Sequence, residues 1–251
     1  MKNLLEFKNV KYFYQTKESE IEALSGVDFS LEEKSFTSLV GPSGCGKTTI
    51  LSLIAGLLTP SSGEILLDDK PIVKNDDRIG YMFQRDHLFE WRTIWQNIIL
   101  GLELQKKKKD EKKIAFAEQL LKKYDLYNFK NKKPRQLSGG MRQRVALIRT
   151  LVLEPSLLLL DEPFSALDFQ TRLKVCDDVY DIIKSEQKTA LLVTHDISEA
   201  ISMSDKVIIL TKRPASVKRE LTLNLTGKTP LKKREDSEFG NHFELIWREL
   251  L

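Results

Sequence analysis

Cysteine is scarce in this chain of 251 residues, which contains only Cys45 and Cys176. The two residues lie far apart in the sequence, and neither belongs to a Cys-x-x-Cys pair. The chain therefore lacks the cysteine pattern of a disulfide framework, and we expect the protein to work in a reducing compartment.

Long apolar runs are also missing. Uninterrupted apolar stretches such as Leu157–Leu160 are only a few residues long, whereas a helix that spans a bilayer needs about 20 apolar residues. The first ten residues alternate charged and apolar side chains and lack the apolar centre of a signal peptide. If the protein serves a membrane, we expect it to do so from outside the lipid.

Neither sign of charge has a large excess, because 40 basic residues face 36 acidic ones. This balance does not indicate a nucleic-acid partner, and we expect none. Residues 106–133 are the exception, with eleven lysines against four acidic residues. Two interpretations of this lysine-rich segment are open: a solvated helix face, which we favour, and a contact with anionic lipid.

The hydrophobic pattern predicts an α/β fold with a helical insert. Residues 5–40 alternate like strands, a helix is expected from Lys47 to Gly56, and further short strands are expected at 64–67, 79–83, 157–160, 190–193 and 206–210. Between about 92 and 152 the apolar period is helical, and a further helix is expected from Thr171 to Lys184. We predict one domain over 1–251, with a core (1–84 and 156–212), a helical subdomain (about 85–155) and a short C-terminal extension (213–251).

A glycine-rich stretch follows the strand predicted at Phe36–Val40. Residues 41–48 read Gly-Pro-Ser-Gly-Cys-Gly-Lys-Thr and match the pattern G-x-x-x-x-G-K-[ST]. In this pattern backbone N–H groups and a helix N-terminus surround phosphate oxygens, while the lysine reaches the β- and γ-phosphates and the threonine ligates Mg²⁺. The predicted nucleotide-binding residues of this loop are Gly41, Pro42, Ser43, Gly44, Cys45, Gly46, Lys47, Thr48 and Thr49.

An acidic pair follows the apolar run Leu157–Leu160. Ligands of open α/β sheets collect at such carboxyl ends of strands. We predict that Asp161 holds Mg²⁺, directly or through water. Glu162 is the next residue and points in another direction, so we predict that it is the general base that activates the attacking water.

The residues Leu-Ser-Gly-Gly at 137–140 precede a helix that contains Gln and Arg. Ser138 is suited to cap that helix, and Gly139 and Gly140 expose amides at its start, which makes a second anion site. No catalytic residue is predicted next to this second anion site in the sequence, and Ser-Gly-Gly alone would also fit a simple helix cap.

In this order and spacing, these elements resemble the ATP-binding subunits of ABC transporters over about residues 4–212. The resemblance implies a P-loop NTPase core with a mostly parallel sheet, an antiparallel β subdomain and an inserted α-helical subdomain. It implies an ATPase that uses ATP and Mg²⁺. It also implies a homodimer, or a pseudo-dimer with a similar ATPase subunit, in which Ser138, Gly139 and Gly140 of one subunit face the γ-phosphate bound by the other. Met141 departs from the family, where glutamine is commonest, but the amides before it should remain.

The resemblance assigns further positions. Gln84 resembles the glutamine that touches Mg²⁺ and the attacking water, Asp168 the acid of a loop that crosses the dimer interface, and His195 the histidine that contacts the γ-phosphate. Tyr14 resembles the aromatic residue that stacks on adenine, with Tyr12 and Phe13 as alternatives. The expected catalytic residues are then Lys47, Gln84, Glu162 and His195, and the expected magnesium-side residues are Thr48, Gln84 and Asp161.

Several classes within this family do not fit the chain. The 91 residues between Lys47 and Ser138 leave no room for the long coiled coil of DNA-repair ATPases, and only one ATPase domain and no fused membrane domain are expected. We therefore expect an importer subunit at the cytoplasmic face of the cell membrane, a peripheral protein bound to integral membrane permease subunits. An extracytoplasmic solute-binding protein would be an indirect partner. The alternative is a soluble ATPase of this type that is not coupled to transport.

The aromatic stretch Phe83–Ile98 resembles the importer group for nitrate, sulfonate and taurine, which includes subunits for thiamine-precursor pyrimidines. Its residues Trp91, Ile94 and Trp95 are expected to form an interface with membrane subunits, although each could instead anchor the helical subdomain. The C-terminal residues Phe243, Ile246, Trp247 and Leu250 are expected to form one apolar helix face that packs on the same domain.

Overall fold

A computed structural model describes residues 2–15, 19–106 and 110–251 of the chain. The strands are β1 (Asn3–Gln15), β2 (Glu20–Glu32), β3 (Phe36–Val40), β4 (Ser62–Leu67), β5 (Lys70–Pro71), β6 (Ile79–Met82), β7 (Leu157–Asp161), β8 (Thr189–Val193), β9 (Lys206–Leu210) and β10 (Val217–Thr222). The helices are α1 (Lys47–Ile54), α2 (Ile94–Ile98), α3 (Leu100–Leu104), α4 (Glu111–Lys123), α5 (Gly139–Leu151), α6 (Phe169–Ser185), α7 (Ile197–Met203), α8 (Pro230–Lys233) and α9 (Phe239–Leu250). Short 3₁₀ turns lie at Tyr127–Phe129 and Pro134–Gln136.

The described strands form two sheets. An antiparallel sheet has the order β2-β1-β4-β5, and a second sheet has the order β10-β9-β3-β8-β7-β6. In the second sheet neighbouring strands are parallel, except that β10 pairs antiparallel with β9. The predicted α/β class, with a mostly parallel sheet and an antiparallel β subdomain, is confirmed.

The parallel strands bring four functional segments to one edge of the sheet. β3 ends just before Gly41, β6 ends two residues before Gln84, β7 ends at Asp161, and β8 ends two residues before His195. Because the carboxyl ends of parallel strands meet at the same edge, residues that are far apart in the sequence face a common cleft.

β7 explains why a continuous apolar run marks the centre of this fold. Leu157 and Leu159 belong to the apolar cluster between the two sheets and α1, and Leu158 and Leu160 belong to the cluster beneath α5 and α6. Successive side chains of a strand point to opposite faces. Both faces of β7 are buried, so alternation with polar residues disappears.

The predicted helices form, and the start of α6 differs from the prediction. α5 begins at Gly139 because the Ser138 hydroxyl accepts a hydrogen bond from the N–H of Met141 (3.3 Å). α6 begins at Phe169, two residues before the predicted start, because the Asp168 carboxylate accepts from the N–H of Thr171 (3.1 Å). The apolar cluster beneath α5 also takes in residues of α2, α3 and α4, so these helices share a core with the sheet, and the boundaries of a separate helical subdomain stay a prediction.

The lysine-rich segment 106–133 carries several ion pairs. Lys113 pairs with Glu154, Lys123 with Glu186 and Lys130 with Glu118. Lys107, Lys108 and Lys109 lie outside the described residues. The paired lysines fit the interpretation as a solvated helix face, and contact with lipid stays an untested prediction. Among the described residues, no helix combines the length and the apolar character that crossing a bilayer requires.

The C-terminal residues 213–251 are tied to the core. β10 extends the parallel sheet, and α9 buries Ile246 in a cluster with α7 and β9, with Phe243 and Leu250 packed against it. Trp247 was expected on the same face, but 53% of its surface is exposed. Adjacent helical residues are rotated by about 100°, so Trp247 cannot share the direction of Ile246.

Gly63→Ala should destabilise the junction of β4 and β1. Gly63 has a φ of 80°, and a Cβ there would lie 2.3 Å from the carbonyl oxygen of Asn9. The left-handed backbone alone costs about 1–2 kcal/mol for a residue with a Cβ, and the clash adds to this cost. We therefore expect the free energy of unfolding to fall by at least about 2 kcal/mol, which corresponds to a melting temperature about 4–8 °C lower.

Gly240→Ala is the matched control, because Gly240 lies in α9 and a Cβ there meets nothing within 4 Å. Alanine favours a helix interior, so thermal unfolding of this variant should occur at or above the wild-type temperature. Equal melting temperatures for the two variants would contradict the assignment.

Candidate nucleotide-binding site

A cleft of about 540 Å³ lies at the carboxyl edge of the parallel sheet. Its lining residues are Gly41, Ser43, Gly44, Gly46, Lys47, Thr48, Thr49, Glu162 and His195. The loop 41–48 therefore faces the predicted general base and the predicted γ-phosphate histidine, as the sequence analysis requires for one ATP site.

The backbone of the loop depends on glycine at two positions. Gly44 has a φ of 70° and Gly46 a φ of 126°, and side chains are disfavoured in such conformations. A Cβ on Gly46 would also lie 3.0 Å from a methyl group of Leu24. The Nζ of Lys47 donates to the carbonyl oxygens of Gly41 (2.7 Å) and Pro42 (2.9 Å). The lysine charge is thus held over the concave side of the loop.

Two residues of the predicted loop set do not line this cleft. The side chain of Cys45 is buried, and its backbone N–H donates to the carbonyl of Pro42 (3.3 Å). Pro42 instead borders a second depression with Leu250 and Leu251 at the C-terminus. Cys45 contributes to the packing of the loop, and Pro42 forms its outer side.

Two predicted catalytic side chains, His195 and Gln84, lie next to a third, Glu162. His195 Nδ1 lies 3.1 Å from Glu162 Oε2, and Gln84 Nε2 lies 3.5 Å from the same oxygen and donates to Ser165 Oγ (3.2 Å). Glu162 has a φ of 44°, a left-handed conformation that is uncommon for a residue with a side chain. This conformation turns Glu162 out of the β7 direction and towards the cleft.

Asp161 occupies a different environment from its neighbour. Tyr81 donates a hydrogen bond from its hydroxyl to Asp161 Oδ2 (2.9 Å). Burial raises the pKa of the Asp161 carboxyl, and the hydrogen bond from Tyr81 and the nearby Lys47 charge oppose that rise. Burial, followed by the charge of Asp161, raises the pKa of Tyr81 far above its usual value, so the tyrosine stays a proton donor to the carboxylate.

The donor chemistry around Thr48 and Asp161 fits magnesium with a bound nucleotide. Mg²⁺ prefers oxygen ligands and usually takes only one or two from the protein, with water and phosphate oxygens completing the shell. The described residues contain no group of three or more His, Cys, Asp or Glu side chains arranged for a metal. One hydroxyl and one half-buried carboxylate therefore suit a shared protein–nucleotide site, whereas a closed metal site is not formed by the described residues.

Tyr14 reaches the edge of the cleft. Its hydroxyl lies 3.0 Å from Oγ1 of Thr49, and 40% of its surface is exposed. Tyr12 packs edge-on against the Tyr14 ring, with centroids 4.9 Å apart, and belongs to the periphery of the core. Of the three aromatic candidates for adenine stacking, Tyr14 has a described contact with the loop helix, and its role stays a prediction.

Ser138, Gly139, Gly140 and Asp168 are absent from the described lining of the cleft. Ser138 and Asp168 each cap a helix through a backbone N–H, and the hydrogen bond from Thr171 lowers the pKa of Asp168. The exposed residues Ser138, Gly139 and Asp168 therefore provide a second surface outside the cleft, whereas Gly140 is buried.

The structure adds arginine contacts that motif reading missed. Arg142, on α5, binds Asp86 through two nitrogens (2.7 and 3.1 Å) and also Glu90 (2.8 Å). Arg149, two turns further along the same face of α5, donates to the carbonyl oxygens of Asp86 and His87. The helix α5, which Ser138 caps, is thus attached to the loop after Gln84. The sequence shows two arginines seven residues apart on one face of this helix, but it does not show which residues they contact.

The segment on either side of Gln84 exposes three aromatic side chains, Phe83, Phe89 and Trp91, together called the aromatic patch. Trp91 is 71% exposed and packs at a tilt against Phe89, with centroids 4.7 Å apart and an interplanar angle of 31°. Ile94 is buried and Trp95 packs against the core. Of the three residues expected at an interface, Trp91 is free for contact, while Ile94 and Trp95 anchor the helical segment.

Comparisons with known proteins agree with this geometry. A family model described as ABC transporter matches residues 24–165, more than half of the chain. The chain is 44% identical over 250 residues to an uncharacterised ABC transporter ATP-binding protein, YtlC, of Bacillus subtilis, covering 99% of this chain and 96% of that protein. It is 40% identical over 248 residues to the nitrate import ATP-binding protein NrtD of Synechocystis sp., covering 96% and 93%. It is 38% identical over 216 residues to the aliphatic sulfonates import ATP-binding protein SsuB of Bacillus anthracis, covering 86% and 84%.

Solved structures show the same fold. A dimeric structure of the ATP-binding cassette MJ0796, in a post-hydrolysis state with ADP and Pi, matches with a TM-score of 0.69 at 33% identity, over 88% of this chain and 99% of that chain. The structure of cbiO1 from Clostridium perfringens, part of the cbiONQ transporter complex, matches with a TM-score of 0.77 at 27% identity, over 94% and 90%. The chain therefore belongs to the ABC transporter family, as an ATP-hydrolysing cassette close to the ATP-binding subunits of importers.

Proposed function

We propose that this chain is the ATPase subunit of an importer, in which ATP binding closes a dimer and hydrolysis reopens it to drive solute uptake through separate membrane subunits. The observation that carries the proposal is the separation of two surfaces in one chain. The cleft at 41–49 provides phosphate binding and the Glu162 base, whereas Ser138 and Asp168 lie outside it. A second subunit would complete each site.

Within the cleft, each residue has a proposed task. The Lys47 ammonium and the amides of the loop bind the β- and γ-phosphates. Thr48, Asp161 and Gln84 hold the Mg²⁺ side of the nucleotide, where the ion would neutralise phosphate charge. Glu162 accepts the proton of the attacking water, His195 contacts the γ-phosphate, and Tyr14 stacks on adenine.

The dimer is proposed as a homodimer, or a pseudo-dimer with a similar ATPase subunit. Ser138, Gly139 and Gly140 would present amides at the start of α5 to the γ-phosphate of the partner's nucleotide. Asp168 lies on the loop that would cross the interface. The dimeric arrangement of MJ0796 with ADP and Pi supports this proposal.

The exposed aromatic patch is the proposed contact with integral membrane permease subunits. Arg142 and Arg149 attach the loop that carries this patch to α5. Through these contacts, a movement of the loop would change the position of Ser138 at the start of α5. The relatives NrtD and SsuB, named for the import of nitrate and of aliphatic sulfonates, support a solute of the nitrate or sulfonate type. The resemblance of the stretch Phe83–Ile98 extends the proposal to taurine or a thiamine precursor. The chain would then lie at the cytoplasmic face of the membrane, with an extracytoplasmic binding protein as an indirect partner.

Trp91→Ala should release the chain from its membrane subunits while leaving the isolated ATPase intact. Truncating an interface tryptophan typically costs at least about 2 kcal/mol, which weakens assembly at least about 30-fold. The tagged chain would be purified from detergent-solubilised membranes of its native host, with recovery of co-purifying integral membrane proteins measured by quantitative mass spectrometry.

Trp247→Ala is the matched control, because Trp247 is another exposed tryptophan but lies on α9, away from the patch. It should retain the membrane proteins. If Trp91→Ala recovered as much integral membrane protein as wild type, the aromatic patch would not be the contact with the membrane subunits. If the wild-type chain itself recovered no integral membrane protein, the result would favour the alternative function, an ATPase that is not coupled to transport.

A further inference from the structure

Tyr81 is a half-buried residue that contacts both Phe83, one of the exposed aromatic residues, and Asp161, the predicted magnesium carboxylate. It lies on β6, beside β7, where Tyr81 pairs in register with Leu159. Its hydroxyl donates to Asp161 Oδ2 (2.9 Å). No motif in the sequence analysis singled out this residue, and the proposed mechanism does not use it.

The ring of Tyr81 makes a second contact. It stacks on Phe83 with centroids 4.4 Å apart and an interplanar angle of 29°. Phe83 is 46% exposed and meets the His87 ring edge-on at 5.4 Å. One tyrosine therefore touches the aromatic patch through its ring and Asp161 through its hydroxyl.

We infer that Tyr81 is a positioning residue for magnesium: its hydroxyl holds one oxygen of Asp161 in place so that the carboxylate presents its other oxygen to the ion. This inference rests on the proposed magnesium site. Groups that hydrogen-bond to a metal-ligating carboxylate orient it and pre-organise the site.

A purely structural role for Tyr81 predicts a different result. A tyrosine hydroxyl that is partly withdrawn from water generally needs a hydrogen-bond partner, and Asp161 could serve only that need. In that case, removing the hydroxyl would change the melting temperature but would leave the magnesium dependence of nucleotide binding unchanged. Tyr81→Phe separates the two roles, because it keeps the ring and its stack on Phe83.

The test measures equilibrium binding of a fluorescent ATP analogue to the full chain while Mg²⁺ is titrated. For Tyr81→Phe we expect the half-saturating Mg²⁺ concentration to rise about tenfold. Affinity for the analogue in the presence of EDTA should stay at the wild-type value, because the loop 41–48 is untouched. Tyr124→Phe is the matched control: it removes a half-buried hydroxyl that also binds a carboxylate, Glu186 (2.8 Å), but in the helical segment.

Asp161→Asn distinguishes failure of this inference from failure of the site itself, since it should abolish the magnesium-dependent signal. If Asp161→Asn does so while Tyr81→Phe keeps the wild-type Mg²⁺ titration, the positioning role is wrong and the magnesium site stands. If Asp161→Asn titrates like wild type, both the proposed site and the role of Tyr81 are wrong. An equal shift in Tyr124→Phe would also overturn the inference, because the effect would then not depend on Asp161.

Discussion

Glu162→Gln is expected to lower ATP turnover about 10²- to 10⁴-fold while nucleotide binding persists. Glutamine has nearly the same shape as glutamate, so the contacts of the loop 41–48 with phosphate should be retained. The amide cannot accept the proton of the attacking water, and the site is left with ATP that it binds but does not hydrolyse. A dimer that requires hydrolysis for reopening should then accumulate.

Two measurements check this expectation: steady-state phosphate release, and size-exclusion chromatography with ATP present. Glu154→Gln serves as the matched control, because Glu154 is also a glutamate with a positive φ (57°) but pairs with Lys113 at the surface. It should hydrolyse ATP at close to the wild-type rate and should not trap a dimer. If Glu162→Gln retained half of the wild-type rate or more, Glu162 would not be the general base.

Glu162 also illustrates what a sequence can predict about such a site. The acidic pair after an apolar strand was enough to place Asp161 and Glu162 at the carboxyl edge of the sheet, because strand ends converge there whatever the details of packing. The left-handed backbone of Glu162 was not predictable. It depends on the turn that follows β7, where the Ser165 hydroxyl donates to the Glu162 carbonyl (3.0 Å).

Contacts between elements were the part that the sequence could not supply. Trp91, Ile94 and Trp95 have similar apolar character, yet their exposure differs because α2 turns Ile94 inward and leaves Trp91 in the preceding loop. The Arg142–Asp86 pair spans 56 residues and forms only because α5 packs beside that loop. Such pairings depend on the relative placement of helices, which neither spacing nor periodicity encodes.

Ser138→Arg tests the separation of the two surfaces, and its effect on hydrolysis should be large. Ser138 caps α5 and does not line the described cleft, so an arginine there should leave nucleotide binding by the monomer unchanged. In the proposed dimer the bulky side chain would displace the α5 amides from the partner's γ-phosphate. Loss of an amide donor to transition-state charge typically lowers turnover about 10²- to 10³-fold, and we expect a reduction of that size.

Ser138→Ala is the control that separates helix capping from the role across the dimer. Losing the cap costs about 1 kcal/mol of stability in both variants, since neither alanine nor arginine can accept the hydrogen bond from the N–H of Met141. Only arginine adds bulk at the interface, so hydrolysis by Ser138→Ala should fall much less. Labelled ATP binding to dilute monomer gives the deciding measurement: if Ser138→Arg monomers fail to bind ATP, Ser138 supports the cleft of its own chain, and the proposed sharing of sites between two subunits is wrong.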